Sequence, residues 1–293
     1  MNGILLVDKP TDWTSSDVVA KLRGILHERR IGHSGTLDPL ATGLLVVFVG
    51  RATRAVSFAE GHDKRYLAGL RLGVETDTQD VTGTRTGGDP RPVTEAELEA
   101  ALAQFRGPIQ QIPPMYSAIK VGGKKLYEIA RRGGEVERKP RPVTIHELRL
   151  AGCEGEDWLL DVACSKGTYV RTLCHDLGRS LGCGGCMSSL RRVQAGDFSV
   201  AQAHTLDQVQ AAADRGEAEA LLLPVDSLFA GHPALTVSPA QEKKLRTGAV
   251  LVTAEACSGP YRVYGAGGDF LALCEARAGQ LKTIKSFFEV DRE

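Results

Sequence analysis

The segment Gly32-His33-Ser34-Gly35-Thr36-Leu37-Asp38-Pro39-Leu40-Ala41-Thr42-Gly43 places one carboxylate among glycines, a proline and a histidine, just before an apolar run. Glycines permit backbone geometry closed to other residues. Pro39 stiffens the turn and holds Asp38 extended. Composition alone also describes an Asp-Pro turn whose carboxylate caps backbone donors. A phosphate cradle is the weaker alternative, because the order of glycines matches neither the P-loop nor the dinucleotide fingerprint. A second chemical feature is basic. Residues 114–142 hold eight Lys or Arg against three Glu, a net of five positive charges, which suits a polyanion as well as it suits a solvated face. A third is Cys183-Gly184-Gly185-Cys186. One such pair cannot close a tetrahedral zinc site, and no second pair has matching spacing, so no metal is expected.

The elements that must position these residues follow from periodicity. Residues 4–8 read as a short strand. Thr14 and Asp17 have capping-box spacing, and Val18, Leu22, Ile25 and Leu26 then give a helix with one apolar face. Residues 31–43 read as a polar loop, and residues 44–49 as a strand buried on both faces. Further strands are expected at 66–72, 143–150 and 158–164. Thr94 with Glu97 caps a helix, and a second helix runs from Thr168 with Val170, Leu173, Leu177 and Leu181 on one stripe. Strands and helices mix without a regular βαβ beat, so the fold class is α+β rather than a doubly wound sheet.

With 293 residues, the chain is expected to form one large domain and one small one. Pro113-Pro114 and Pro140-Arg141-Pro142 bracket the basic segment as an insertion. Residues 231–293 read as a short-strand, Gly-rich unit, long enough for a small β-domain but too small to be robust alone. Formal net charge is zero, mild evidence against nucleic acid, although the distribution matters more than the sum. Seven scattered cysteines argue against a disulfide framework. The N-terminal residues lack the pattern of a signal peptide, and no apolar run is long enough to span a bilayer, so a cytoplasmic location is expected.

The run from His33 to Gly43 resembles the signature of the TruB family of tRNA pseudouridine synthases, and other segments fall in that family's order. Asp8-Lys9-Pro10 is similar to its N-terminal motif, and Lys64-Arg65-Tyr66 to its tyrosine motif. Pro114-Met115-Tyr116-Ser117-Ala118-Ile119-Lys120 and Gly123-Lys124-Lys125-Leu126-Tyr127 resemble its RNA-gripping insertion. The stretch from Cys164 to Thr172 resembles its arginine motif, and Leu190-Arg191-Arg192 the segment that closes the pocket. The resemblance spans about residues 3–230 and is loose beyond, where it suggests a PUA-like RNA-binding domain. A pseudouridine-synthase-type, largely antiparallel mixed sheet with flanking helices is the implied architecture, with a catalytic domain over 1–230. A departure lies at residues 44–47, Leu-Leu-Val-Val, where many relatives carry a proline; it touches packing only.

The resemblance implies isomerisation of a uridine in the T-arm of tRNA (position 55) to pseudouridine. The glycosidic N1–C1′ bond breaks, the base turns, and C5 bonds to C1′. No redox change occurs, so no cofactor is implied. Asp38 would be the nucleophile, for the reason glycosidases use a carboxylate against an electron-poor sugar carbon; its adduct would form at C1′ or at the base. Tyr66 would lie against the flipped uracil and is a candidate to assist proton removal. Arg171 would pair with Asp38 and keep it ionised. Tyr169 and Leu190 would line the pocket, His33 would support the flipped-out RNA, and Lys9 would bind substrate or brace the loop. Lys120, Lys124, Lys125, Arg131 and Arg132 would grip phosphates, positioning rather than specifying. The implied partner is tRNA, with no membrane and no obligatory protein partner, and a monomer is expected. Two rival readings are a tRNA-folding module, alone or alongside catalysis, and the guide-RNA-dependent relatives that work within a multi-protein particle.

Overall fold

Short polar signals start the helices. In the computed structural model, which describes residues 1–253 and 257–289, Thr14 accepts from the Asp17 amide and Asp17 answers with its carboxylate, opening the helix Ser15–Leu26. Thr94 and Glu97 do the same for Glu95–Ala103. The helix Val170–Ser180 has no side-chain cap at Tyr169.

These helices pack on one large sheet. Its strand order is Gly3–Lys9, Thr42–Val49, Gly185–Ala195, Lys64–Leu72, Asp157–Cys164, Arg141–Glu154 and Gly107–Gln111. The pairs are antiparallel except for the short contact of Thr42 and Gly43 with Arg191 and Arg192, which is parallel. The architecture is thus the expected mixed, largely antiparallel sheet with flanking helices. Strands Gly3–Lys9 and Thr42–Val49 send alternate residues into two cores. Leu5, Val7, Leu45 and Val47 meet the helix Ser15–Leu26, whereas Ile4, Leu6, Leu44, Val46 and Phe48 meet Val225 and Phe229. That double burial explains why residues 44–49 read as one unbroken apolar run. The other half of the sheet buries Ala68, Leu70, Leu160 and Val162 against Leu98, Leu102, Leu173 and Leu177.

Two elements differ from the sequence reading. Residues 31–34 form a strand, Ile31–Ser34, paired antiparallel with residues 46–49, so only the stretch after Ser34 is loop. Four residues that include a glycine and a histidine carry too little periodicity to announce a strand. The strand Gly185–Ala195, at the centre of the sheet, was not expected at all. Its inward positions include Leu190 and Arg192, and an arginine at a core position hides the alternation.

Between Gln111 and Arg141 the chain leaves the sheet for a two-stranded ribbon (Lys120–Val121 with Lys124–Lys125) and the short helix Leu126–Ala130. Near the C-terminus a second, five-stranded sheet curls into a half-barrel in the order Ala234–Thr236, Gly259–Tyr264, Phe270–Arg277, Gln280–Ser286 and Leu251–Val252, a PUA-like arrangement. It docks through Phe58, Phe229, Phe270 and Phe287, whose ring centroids are 5.2–6.1 Å apart. Small domains bury too little surface alone, and this shared aromatic layer extends the core. Among the described residues no helix is long and apolar enough to cross a membrane.

Candidate functional site

The loop between Ser34 and Thr42 is pinned along its length. The Gly35 carbonyl accepts from Arg192 at 2.9 Å. Leu37 is tied at both its amide and its carbonyl to the Ser15 hydroxyl, at 2.9 and 3.2 Å. The Pro39 carbonyl accepts from the Asp12 amide and from Lys9 Nζ. Gly43 closes the loop at φ +94°, and a Cβ there would stand 2.3 Å from the Arg192 carbonyl, so only glycine fits. Leu37 and Ala41 are buried in the core beneath. Asp38 is left as the loop's half-exposed polar projection, its side chain 39% exposed.

Arg171 meets it. Its Nε lies 3.0 Å from Asp38 Oδ2, and the guanidinium is buried. The remaining donors are spent on the Thr78 carbonyl at 3.0 Å and the Tyr116 carbonyl at 2.8 Å, with Asp80 at 3.8 Å. A guanidinium held at this many points cannot swing away, so it fixes the carboxylate's orientation. Burial pushes the Asp38 carboxyl above the usual carboxylate range; Arg171 opposes this, the Asp80 charge adds to it, and Lys9 opposes it. Arg171 therefore restrains an upward shift of the carboxyl.

Tyr66 and Tyr169 both lie close enough to the pair to feel the Asp38 charge. Tyr66 lies in the strand Lys64–Leu72, opposite Val162 on one side and Arg192 on the other, and is almost wholly buried. Burial raises its hydroxyl pKa, the Arg192 cation opposes this, and the Asp38 charge adds to the rise. Tyr169 takes its place from Gln111. That buried amide accepts from the Tyr169 amide at 2.9 Å and donates to its carbonyl at 3.2 Å, serving where the helix has no cap of its own. Leu190 is buried in the same core as Tyr66. A cavity of about 600 Å³ opens on the Tyr169 side, lined also by Lys166, Arg141, Ile119, Glu60 and Ser57. Tyr169 alone of the expected pocket residues lines it, and Asp38, Arg171 and Tyr66 do not.

His33 is half-buried in the strand before the loop, with Nδ1 buried and without a hydrogen-bond partner among the described residues. Burial and the neighbouring Arg192 cation hold its pKa below the ordinary value, so it is neutral at pH 7. Lys9, expected to bind substrate or to brace the loop, faces the loop's backbone. It is wholly buried, and Nζ donates to the carbonyls of Pro10, Trp13 and Pro39, so it braces the loop. Burial pushes its pKa down to about 8, which leaves it charged at pH 7.

The basic insertion divides in two. Lys120, Lys124, Arg131 and Arg132 are exposed. Lys125 and Arg131 sit over the Tyr127 ring, 5.3 and 5.4 Å from its centroid. Cys183 and Cys186 are buried, and Cys183 Sγ points at the Gly178 and Gly184 carbonyls. Sequence reasoning missed Ser15, Asp80, Gln111 and Arg192 as supporting residues. Each acts on a partner distant in sequence or through backbone atoms, which leaves no local signal; only the position of Arg192 within the Leu190-Arg191-Arg192 segment pointed near the site.

Comparisons with known proteins place the chain among its relatives. The profile described as TruB family pseudouridylate synthase (N terminal domain) matches residues 23–170, and that of the tRNA pseudouridylate synthase B C-terminal domain matches residues 171–230. A tRNA pseudouridine synthase B from Azoarcus sp. is 44% identical over 282 residues, covering 96% of this chain and 93% of that one. The protein of the same name from Clostridium kluyveri is 38% identical, covering 98% of this chain and 100% of that one. Among solved structures, a chain from the crystal structure of a Cbf5-Nop10-Gar1 complex superposes with a TM-score of 0.74 at 24% identity, covering 98% of this chain and 85% of that one, a likeness of fold.

Proposed function

Because this chain belongs to the TruB family of pseudouridylate synthases, isomerases that turn uridine into pseudouridine, we propose that it acts on the T-arm uridine of tRNA (position 55), with Asp38 as nucleophile and the target base flipped from its stack. The observation that carries this reading is the Asp38–Arg171 pair at 3.0 Å, set on a loop pinned at both ends beside Tyr66. Relatives named tRNA pseudouridine synthase B support tRNA as the substrate.

In this reading Asp38 attacks in its ionised form while Arg171 balances the charge. The N1–C1′ bond breaks, the uracil turns against Tyr66, and C5 bonds to C1′. C5 gives up its proton by way of Tyr66 to solvent, N1 gains a proton from solvent, and the Asp38 carboxylate is released, so atoms balance with no redox partner. Flipping is required because a stacked base hides the bond that breaks. Tyr66 offers a ring face for it, and stacking of this kind contributes about 1–3 kcal/mol. The exposed lysines and arginines of the insertion hold phosphates and set register without reading bases.

The test is an unmodified tRNA transcript incubated with the purified chain alone, with pseudouridine then mapped along it. Conversion at the T-arm site by the parent protein, and none by Asp38→Asn despite retained tRNA binding, is the expected result. Full activity of Asp38→Asn would remove the nucleophile. Activity only with an added guide RNA would favour the particle-bound relatives instead.

A further inference from the structure

Arg192 is among the largest side chains the fold buries, at 1% exposure. A buried guanidinium normally carries a carboxylate with it, because a lone charge in a poorly polarisable interior is costly. This one has no ion-pair partner among the described residues. Its Nε donates to the Leu44 carbonyl at 2.7 Å and its Nη2 to the Gly35 carbonyl at 2.9 Å. Gly35 opens the Asp38 loop and Leu44 follows its close, so one planar group ties the two ends together. The Arg192 backbone reinforces this, since residues 192 and 43 are register partners with no room between them for a Cβ. On its other edge the strand places Arg192 directly across from Tyr66.

We propose that Arg192 is a positioning residue that locks the Asp38 loop against Tyr66, setting the separation between nucleophile and tyrosine on which isomerisation depends. The inference rests on the function proposed above. The chemistry asks for this geometry: one group must reach the sugar or base while another receives a proton from C5, and the two sit on different elements, a loop and a strand. Arg192 touches both ends of the one and faces the other. Its charge has a second effect. Beside the Tyr66 hydroxyl it favours release of the phenolic proton, opposing the burial that holds that proton on. A fork of fixed donors does both, whereas an ammonium on a flexible stem reaches one carbonyl at a time.

The test uses Arg192→Gln and Arg192→Lys in the full chain, each checked for folding by circular dichroism and thermal melting, with unmodified tRNA transcript as substrate. The expected result is a fall in kcat of about tenfold or more with tRNA Kd within about threefold of the parent, the signature of an interaction felt in the transition state rather than in binding. In Arg192→Gln the limb on which activity rises with pH should lie at higher pH than in the parent, because loss of the guanidinium leaves the effect of burial on the phenol less opposed. A structural prop would not move that profile. A folded variant with kcat within threefold of the parent overturns the inference, as does a loss confined to Kd or a pH profile parallel to the parent's. If Arg192→Gln fails to fold, Arg192→Lys is judged on kcat against Kd. Parent and Asp38→Asn proteins run alongside keep the two readings apart. If the parent makes no pseudouridine the functional reading has failed, and if only the Arg192 variants behave like the parent this inference has.

Discussion

Substituting Arg171 by lysine keeps a positive charge but changes its reach and shape, and the structure gives the size of the effect. At 3.0 Å the Arg171–Asp38 attraction is about 5 kcal/mol for an effective dielectric of about 20. A lysine ammonium falls short by about 2 Å, which reduces that figure to about 3 kcal/mol. The Asp38 side chain is 39% exposed, so solvent screening takes roughly half of the 2 kcal/mol difference. About 1 kcal/mol remains, equivalent to somewhat under one pH unit in the Asp38 ionisation. The direction follows from the roles. Burial raises the Asp38 pKa and Arg171 holds it down, so weakening Arg171 raises it further. The proposed nucleophile works ionised, and activity is lost as pH falls through its pKa. The acid limb of the Arg171→Lys rate profile therefore moves to higher pH by about half to one unit. Lysine also cannot span Asp38, Thr78 and Tyr116 together, and misplacing a reacting group by about 1 Å can cost about a hundredfold, so the plateau should drop by about ten- to a hundredfold. Single-turnover isomerisation of tRNA transcript from pH 5 to 8 reads both quantities. A folded Arg171→Lys protein with an unmoved acid limb and an undiminished plateau would refute the reasoning.

Three other outcomes follow from the same coordinates. Asp38→Asn should melt at or above the parent temperature at pH 7, because a carboxyl with a raised folded pKa destabilises the fold once ionised; the sign requires the gain to shrink as pH falls towards that pKa, read by calorimetry. Replacing Lys120 and Lys124 by glutamine should weaken tRNA binding and flatten its dependence on salt, by a slope of at most about 1.4–1.8 if each lysine neutralises one phosphate, measured by titration at several salt concentrations; an unchanged slope would take both lysines off the RNA. Phe229→Ala, at the centre of the aromatic layer, should cost about 3–5 kcal/mol and separate the unfolding of the second sheet from that of the first, seen as two transitions in urea.

What the sequence revealed and what it hid divide along a physical line. Glycines and a proline at fixed offsets marked the Asp38 loop as constrained, but they described a capping turn equally well, and the resemblance of the whole run from His33 to Gly43 is what singled out its carboxylate. Arg171 came from the resemblance of the stretch Cys164 to Thr172; a place at a helix start, off the stripe of Val170, Leu173 and Leu177, describes a surface arginine just as well. The helix caps at Thr14 and Thr94 act within three residues, so their spacing sufficed. Gln111 acts 58 residues away on a main chain, and Arg192 acts 157 residues away on a carbonyl. A backbone carbonyl is present at every position, so it marks nothing in the sequence. Lys9 stayed between two roles in the sequence because lysine is seldom buried, and only the convergence of three carbonyls makes its burial tolerable.

The same line explains why a chain of zero net charge fits a polyanionic substrate. Around Asp38 the fold gathers Lys9, Arg171 and Arg192 with little or no exposure, and Lys64 beside Gly35. The carboxylates acting on them are Asp38 and Asp80 at Arg171, Asp12 and Asp17 near Lys9, and Asp63 near Lys64. Lys9 and Arg192 nonetheless donate their hydrogen bonds to carbonyls rather than to carboxylates. A carbonyl stabilises a buried cation without cancelling its field, whereas a carboxylate would do both. The cations exposed to an incoming phosphate backbone are Lys120, Lys124, Arg131 and Arg132 of the insertion, while acidic residues that bring the total to zero lie elsewhere, as Glu95, Glu97 and Glu99 do on the helix Glu95–Ala103. Total charge averages over that arrangement, and clustering in one segment is what gives the chain a basic face despite a net charge of zero.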